Sequence, residues 1–263
     1  MSLTAYVVDA FTDRVFQGNP AAVIPLQHWL ADELMQSIAA EHNIAETVFF
    51  VPIAGGYHIR WFTPVAEIDL CGHATLASAF VLKRFIVPAL TKIAFESKSG
   101  PLGVEIAGDL YTLDFPSRPP TEVAVSPYVS SGLKLPAQQI LAARDYFAIY
   151  ASEEELRSLD PDMGDLSRID RLGVIATAPS SQTGIDFVSR FFAPATGIPE
   201  DPVTGSAHST LIPYWAARLG KAKMRAKQIS PRGGDLECEL AGDRVRIGGH
   251  AVLYSKNEIY IPG

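Results

Sequence analysis

Apolar and polar positions alternate near the start of the chain, at Tyr6-Val7-Val8-Asp9-Ala10-Phe11. After a turn at Gln17-Gly18-Asn19-Pro20 comes a second apolar run, Ala21-Ala22-Val23-Ile24, and the pattern predicts paired strands. From 30 to 42 the period changes: Leu30, Leu34, Met35 and Ile38 recur at helical spacing, with Asp32 and Glu33 at the end where a helix dipole favours negative charge. β-branched and aromatic runs over 46–51 and 57–63, separated by Ala54-Gly55-Gly56, predict a hairpin. The spacing then predicts a helix over 72–85 with Lys83 and Arg84 near its end, followed by strands over 92–96, 102–106 and 111–115.

Prolines at 116, 119, 120 and 127 mark a crossing. They place a boundary between a lobe of residues 1–117 and one of 118–263, with the last strand crossing back to the first lobe. The second half reads as helix 136–142, strand 146–150, helix 152–158, strand 172–178 and strand 187–193. Ser152 and Glu155 form a capping box for the second of these helices. Leu211, Trp215 and Leu219 give a further helix its apolar stripe before Gly220 ends it, and Pro213 inside it predicts a bend or a restart. The tail, 228–261, reads as short strands with turns at 233–234, 241–243 and 255–257.

The chain also repeats itself. Arg60-Trp61-Phe62-Thr63-Pro64, then Cys71-Gly72-His73-Ala74 and an apolar helix, is echoed by Arg190-Phe191-Phe192-Ala193-Pro194, then Thr204-Gly205-Ser206-Ala207 and another such helix. The aromatic blocks lie 130 residues apart and the glycines 133. Each copy reads as strand, Pro-closed loop, glycine and helix, so the sequence predicts an α+β fold of two pseudo-symmetric lobes, each a mixed sheet wrapped around a central helix. The exposed amides of a helix start attract anions, and two such starts suit a small carboxylate.

Composition narrows the function without naming it. At 263 residues and 48% hydrophobic content there is ample core. The net charge of −7, from 22 basic and 29 acidic residues, with no basic tract, argues against a nucleic-acid partner. No apolar run of membrane-spanning length and no leader pattern occur, so a soluble, cytoplasmic protein is expected. Two cysteines, Cys71 and Cys238, are too few for a disulfide scaffold. No phosphate-binding glycine loop supports a nucleotide cofactor, and His42, His58, His208 and His250 lack ligand-like spacing, so no metal is expected and packing or surface roles are favoured for them.

Several residues could carry chemistry. His73 follows Gly72 at a helix start, where an imidazole can serve as an acid or base; the alternative is a capping or packing histidine. Glu46 sits at the mouth of an apolar run, where desolvation raises a carboxyl pKa toward the range of a general acid/base; the alternative is a solvated strand-end carboxylate. Asp201 precedes Pro202, a common loop device, and Ser206 offers a hydroxyl or a cap. Cys71 is either a thiolate stabilised by the helix start or a buried inert thiol.

Asp9-Ala10-Phe11-Thr12, Gly18-Asn19-Pro20-Ala21-Ala22-Val23, Ala45-Glu46-Thr47-Val48-Phe49, Phe62-Thr63-Pro64, Cys71-Gly72-His73-Ala74-Thr75 and Glu200-Asp201-Pro202-Val203-Thr204-Gly205-Ser206-Ala207 together resemble the PhzF-like phenazine biosynthesis family. The resemblance implies a diaminopimelate-epimerase-like fold with the site between two lobes, usually a homodimer, and no cofactor. In the characterised isomerase of that family, which shifts a hydrogen within a dihydro-hydroxyanthranilate, a glutamate is the acid/base, and its motif position here is Glu46. The catalytic partners fall on His73 and Asp201, and the substrate-binding positions on Gly72, Ala74, Gly205, Ser206 and Ala207. Related racemases place a cysteine before the glycine in both lobes; here Cys71 stands in the first and Thr204 in the second, so two-thiol racemisation is not expected. A Glu46-driven isomerase of a small carboxylic acid is the leading expectation. A one-thiol racemase or hydroxyproline-dehydratase-like enzyme using Cys71, and a non-catalytic carboxylate-binding protein, remain as alternatives.

Overall fold

In the computed structural model, which describes residues 1–261, the N-terminal alternating runs form β1 (Ser2–Ala10) and β2 (Asn19–Pro25), antiparallel with Tyr6 opposite Val23. The 3.6-residue stripe forms α1 (Asp32–His42). The aromatic runs form β3 (Glu46–Ile53), parallel to β2, and β4 (Gly56–Phe62), which closes the hairpin with Ile53 opposite Gly56. A two-residue β5 (Glu67–Ile68) folds back on β4. Next, α2 (Gly72–Val81) widens into a π-helical turn over Leu82–Ile86, so the expected helix ends more loosely than its spacing implied. The Lys83 ammonium reaches beyond it to the Pro88 and Leu90 carbonyls. Strands β6 (Lys92–Ser97), β7 (Gly100–Ala107) and β8 (Leu110–Pro116) follow the expected alternation.

The second half holds α3 (Pro127–Leu133), β9 (Gln139–Ala142), β10 (Tyr146–Ile149), α4 (Glu153–Ser158), α5 (Met163–Leu166), β11 (Val174–Pro179), β12 (Phe187–Phe192), α6 (His208–Leu219), β13 (Lys223–Gln228), β14 (Gly234–Ala241), β15 (Arg244–Gly249) and β16 (Ala251–Tyr260). Three expectations are corrected. Residues 136–142 are not a helix: 139–142 form β9, antiparallel to β10, and the helix lies earlier, where Pro127 takes its first position. Residues 255–257 are not a turn. They continue β16, because the strand runs along β1 from Ala10↔Ala251 to Ser2↔Tyr260 and leaves room for polar residues at a sheet edge. α6 runs on through Pro213 and does not restart there. The proline frees the carbonyl of Ser209, four residues before it, and that carbonyl accepts the amide of Arg118 instead.

Contacts divide the chain into two units, one of Met1–Asp114 with the C-terminal strand from Gly248 onward, the other of Phe115–Ile247. In the first, the strand order is β16-β1-β2-β3-β4-β6-β7-β8. Phe49 and Val51 of β3 join Ile24, Met35, Ile38 and Phe62 in the core under α1. Successive side chains of a strand face opposite ways. Glu46 and Val48 therefore point to the other face, which α2 covers, and the register Ala21↔Glu46 puts Asn19 of β2 on that face too. In the second unit the order is β15-β14-β13-β12-β11-β10-β9. There α6 packs on β13 and β14, and its Trp215 stacks on Phe187 at 5.5 Å while donating to Thr177 Oγ1.

The chain turns into β2 at Gly18, where φ is +66° and a methyl group would lie 2.2 Å from the Ala10 carbonyl oxygen. Gly18→Ala is expected to lower stability by more than the roughly 1–3 kcal/mol of a strained left-handed backbone, because the carbonyl cannot give way. Gly55→Ala, with φ +83° but open space around it, should show the backbone cost alone. Equal losses for the two variants in chemical denaturation would remove the close-approach argument.

Candidate active site

The N-terminal unit gathers four polar side chains at the start of α2. Cys71, extended at φ −140°, occupies the N-cap but offers no side-chain cap, so the first amides of α2 have no capping side chain ahead of them. His73 Nε2 lies 2.9 Å from Glu46 Oε2, with both side chains almost fully buried. Oε2 makes no other hydrogen bond among the described residues and retains accepting capacity. Nδ1 of the same ring is 3.1 Å from the Asn19 side-chain amide and 3.4 Å from Cys71 Sγ. Thr75 Oγ1 donates to the Cys71 carbonyl, and the Thr75 amide bonds it as well, fixing the turn.

Burial opposes charge on the His73 ring, but the sulfur of Cys71 and the carboxylate of Glu46 outweigh it and hold the imidazole well above its ordinary value. Burial, reinforced by the Glu46 charge and only partly countered by His73, pushes the Cys71 thiol up. This direction weighs against a low-pKa thiolate at this helix start, because His73 and the Ala74 amide offset only part of the loss of solvent. His73 is neither exposed nor a cap, and Glu46 is not a solvated strand end.

The loop leading to Cys71 is held at its base. Arg60 donates Nε to Glu67 Oε1 at 2.7 Å and a terminal nitrogen to Oε2 at 2.9 Å, with its guanidinium 5.2 Å from the Phe62 ring. The hydrogen bonds from Arg60 hold Glu67 down to about 2. The second unit repeats the device: Arg190 donates to Glu200 at 2.7 and 2.9 Å and lies 4.9 Å from the Phe192 ring. Beyond that clamp, Asp201 is buried and accepts from Thr204 Oγ1, while Gln228 accepts the Thr204 amide and donates to the Asp201 carbonyl. Gly205, Ser206 and Ala207 form the tight turn into α6, whose N-cap is Ala207 with no side-chain cap, so Ser206 is not the cap.

The first unit thus unites Glu46, Cys71, Gly72, His73 and Ala74, and the second unites Asp201, Gly205, Ser206 and Ala207. Sequence reasoning passed over Asn19 and Gln228 as site residues. Asn19 stands in the Gly-Asn-Pro segment already singled out, whereas nothing local marks Gln228. His208 is a core histidine: fully buried, it shares Nδ1 with the Thr204 carbonyl, and burial lowers it to about 4.

Comparison with known proteins follows the same lines. The model of a family described as phenazine biosynthesis-like protein, PhzC-PhzF, matches residues 8–257. An uncharacterized isomerase of Pseudomonas aeruginosa is 50% identical over 260 residues, covering 98% of this chain and 99% of that protein. The crystal structure of a phenazine biosynthesis protein of the PhzF family from Enterococcus faecalis superposes with a TM-score of 0.95 at 46% identity, covering 99% of this chain and 100% of that one. A hydroxyproline epimerase of Agrobacterium vitis shares the fold alone, with a TM-score of 0.63 at 13% identity over 98% of this chain and 92% of that one. The fold is α+β of the epimerase-like type.

The core position of His208 sets a pH dependence. Its folded-state value, about 4, lies below the ordinary 6.5, so the unfolded chain binds the extra proton in between and stability falls as pH drops from 6.5 toward 4. The loss is on the order of 3 kcal/mol. Asp145, raised by burial to about 6, acts oppositely over part of this window. His208→Asn should therefore flatten the acid-side decline in urea unfolding measured between pH 7 and 4.5; an unchanged slope would show that the ring titrates normally.

Proposed function

This chain belongs to the PhzC-PhzF family of phenazine biosynthesis-like proteins, and on that premise we propose that it is an isomerase that moves a proton on a small carboxylic acid with its own side chains and no cofactor. The observation that carries this reading is the buried contact of Glu46 with His73 beside the uncapped start of α2. Glu46 takes a proton from a carbon next to the conjugated carboxylate, and the negative charge left on that carbon spreads into the carboxyl oxygens. The amides of Gly72, His73 and Ala74, with the positive end of the helix, favour that charge. Glu46 then returns the proton to a different carbon, so the reaction is neutral in atoms and electrons. His73, 2.9 Å from Oε2, holds the Glu46 carboxyl group in place. Asp201 is assigned to the catalytic set, and Gly205, Ser206 and Ala207 to substrate recognition, from their motif positions and the uncapped turn they form.

The 3.4 Å approach of Cys71 Sγ to the His73 ring favours a second reading, in which the sulfur is the base. The upward shift of the thiol weighs against it, since a protonated sulfur removes no proton.

Glu46→Gln keeps the shape of the side chain and is expected to cut turnover by about 10²–10⁴-fold while ligand binding persists. The assay is incorporation of solvent deuterium into a panel of small carboxylates, which needs no knowledge of the product. Full activity in Glu46→Gln rejects the glutamate role. Loss of activity in a folded Cys71→Ala would transfer the base role to the thiol. Binding without exchange for every acid tested would leave a binding protein.

A further inference from the structure

We propose that Glu46, Cys71 and His73 form a binding site for a soft divalent cation of the zinc type, whose occupancy withdraws the carboxylate and the imidazole from proton transfer. One ligand atom from each residue lies within 4.8 Å of the others, and all three residues are buried. In tetrahedral zinc sites metal–ligand bonds of about 2.0–2.3 Å put neighbouring ligand atoms roughly 3.3–3.6 Å apart. Here Nε2 to Oε2 is 2.9 Å and Sγ to Nε2 is 4.0 Å, so sub-ångström movements in opposite senses make room for an ion.

A second observation points the same way. Glu46 Oε2 is buried 2.9 Å from the ring nitrogen and makes no other hydrogen bond among the described residues, so it keeps accepting capacity that an ion could use. Thiol, imidazole and carboxylate are the donor types that zinc and cadmium select over magnesium or calcium. The ligands also sit on rigid elements, Glu46 on β3 and the other two at the start of α2. On ligation the sulfur proton and the Nε2 proton of His73 both leave to solvent, and with three protein ligands the fourth position stays open to water or a carboxylate. The site goes beyond the proposed isomerase reading and does not require it.

The probe is Cd²⁺, added to the purified full chain after chelator treatment and followed by the ultraviolet cadmium–thiolate charge-transfer band, with Zn²⁺ as competitor. One ion per chain is expected, displaced by zinc. Cys71→Ser should abolish the band, and His73→Gln should weaken binding by at least about 10–100-fold, whereas Cys238→Ala should keep both. Absence of a band in the wild-type chain, or its survival in Cys71→Ser, overturns the proposal; unchanged affinity in a folded His73→Gln does the same. The two readings fail separately. Full turnover in Glu46→Gln would remove the glutamate mechanism without bearing on the cadmium titration of the wild-type chain, while a silent cadmium titration would leave that mechanism standing.

Discussion

The N-terminal unit is organised around a carboxylate and an imidazole pressed together where solvent is nearly excluded. Taking either group out of water alone is costly, so each needs the other close by. Glu46 opens a strand whose first six residues are all buried, and His73 lies in a helix buried along almost its whole length. That pairing ties β3 to α2, and Asn19 ties β2 to the same ring. The helix start, the strand register and the buried charge are thus one arrangement, in which displacing any member would expose the other two to an unfavourable environment.

The paired arginine clamps show how the sequence repeat works as structure. In both copies an arginine on a strand folds over the aromatic residue two positions on and forks onto a glutamate in the following loop. Isolated exposed ion pairs contribute little, but a two-pronged, mostly buried fork fixes geometry as well as charge. The clamp sets where the loop turns back before its glycine. The spacing grows from 130 to 133 residues because Pro194 is followed by a short 3₁₀ turn, Pro194–Thr196, that the first copy lacks. The added residues are absorbed before Glu200, so the fork keeps its shape.

The two copies diverge where chemistry begins. Cys71 precedes the first glycine and packs against His73, while Thr204 precedes the second and bonds to Asp201 and Gln228. A threonine hydroxyl held in a polar network cannot replace a thiolate. A chain of this family with one thiol and one buried glutamate–histidine pair therefore differs from a symmetric two-base design in its own side chains.

Sequence alone determined the elements whose signals are local. The alternation at 6–11 and over 92–115, the helical stripe of α1, the glycine hairpin at 54–56 and the Ser152 cap of α4 depend on neighbours within a few positions, and each appears at or within a few residues of its pattern. The motifs also marked Glu46, His73, Cys71 and Asp201 as candidates. Tertiary structure decided the rest: β9 and the polar stretch of β16 are strands because β10 and β1 offer them hydrogen-bonding partners, and the Ser209 carbonyl that Pro213 frees in α6 is taken up by the amide of Arg118, far earlier in the chain. Likewise, the contacts among Asn19, Glu46, Cys71 and His73 arise from a parallel register between β2 and β3 and from the face that α2 covers. Periodicity fixes which side of its own element a residue faces, but the partner it meets there depends on how distant segments pair, and no local pattern encodes that.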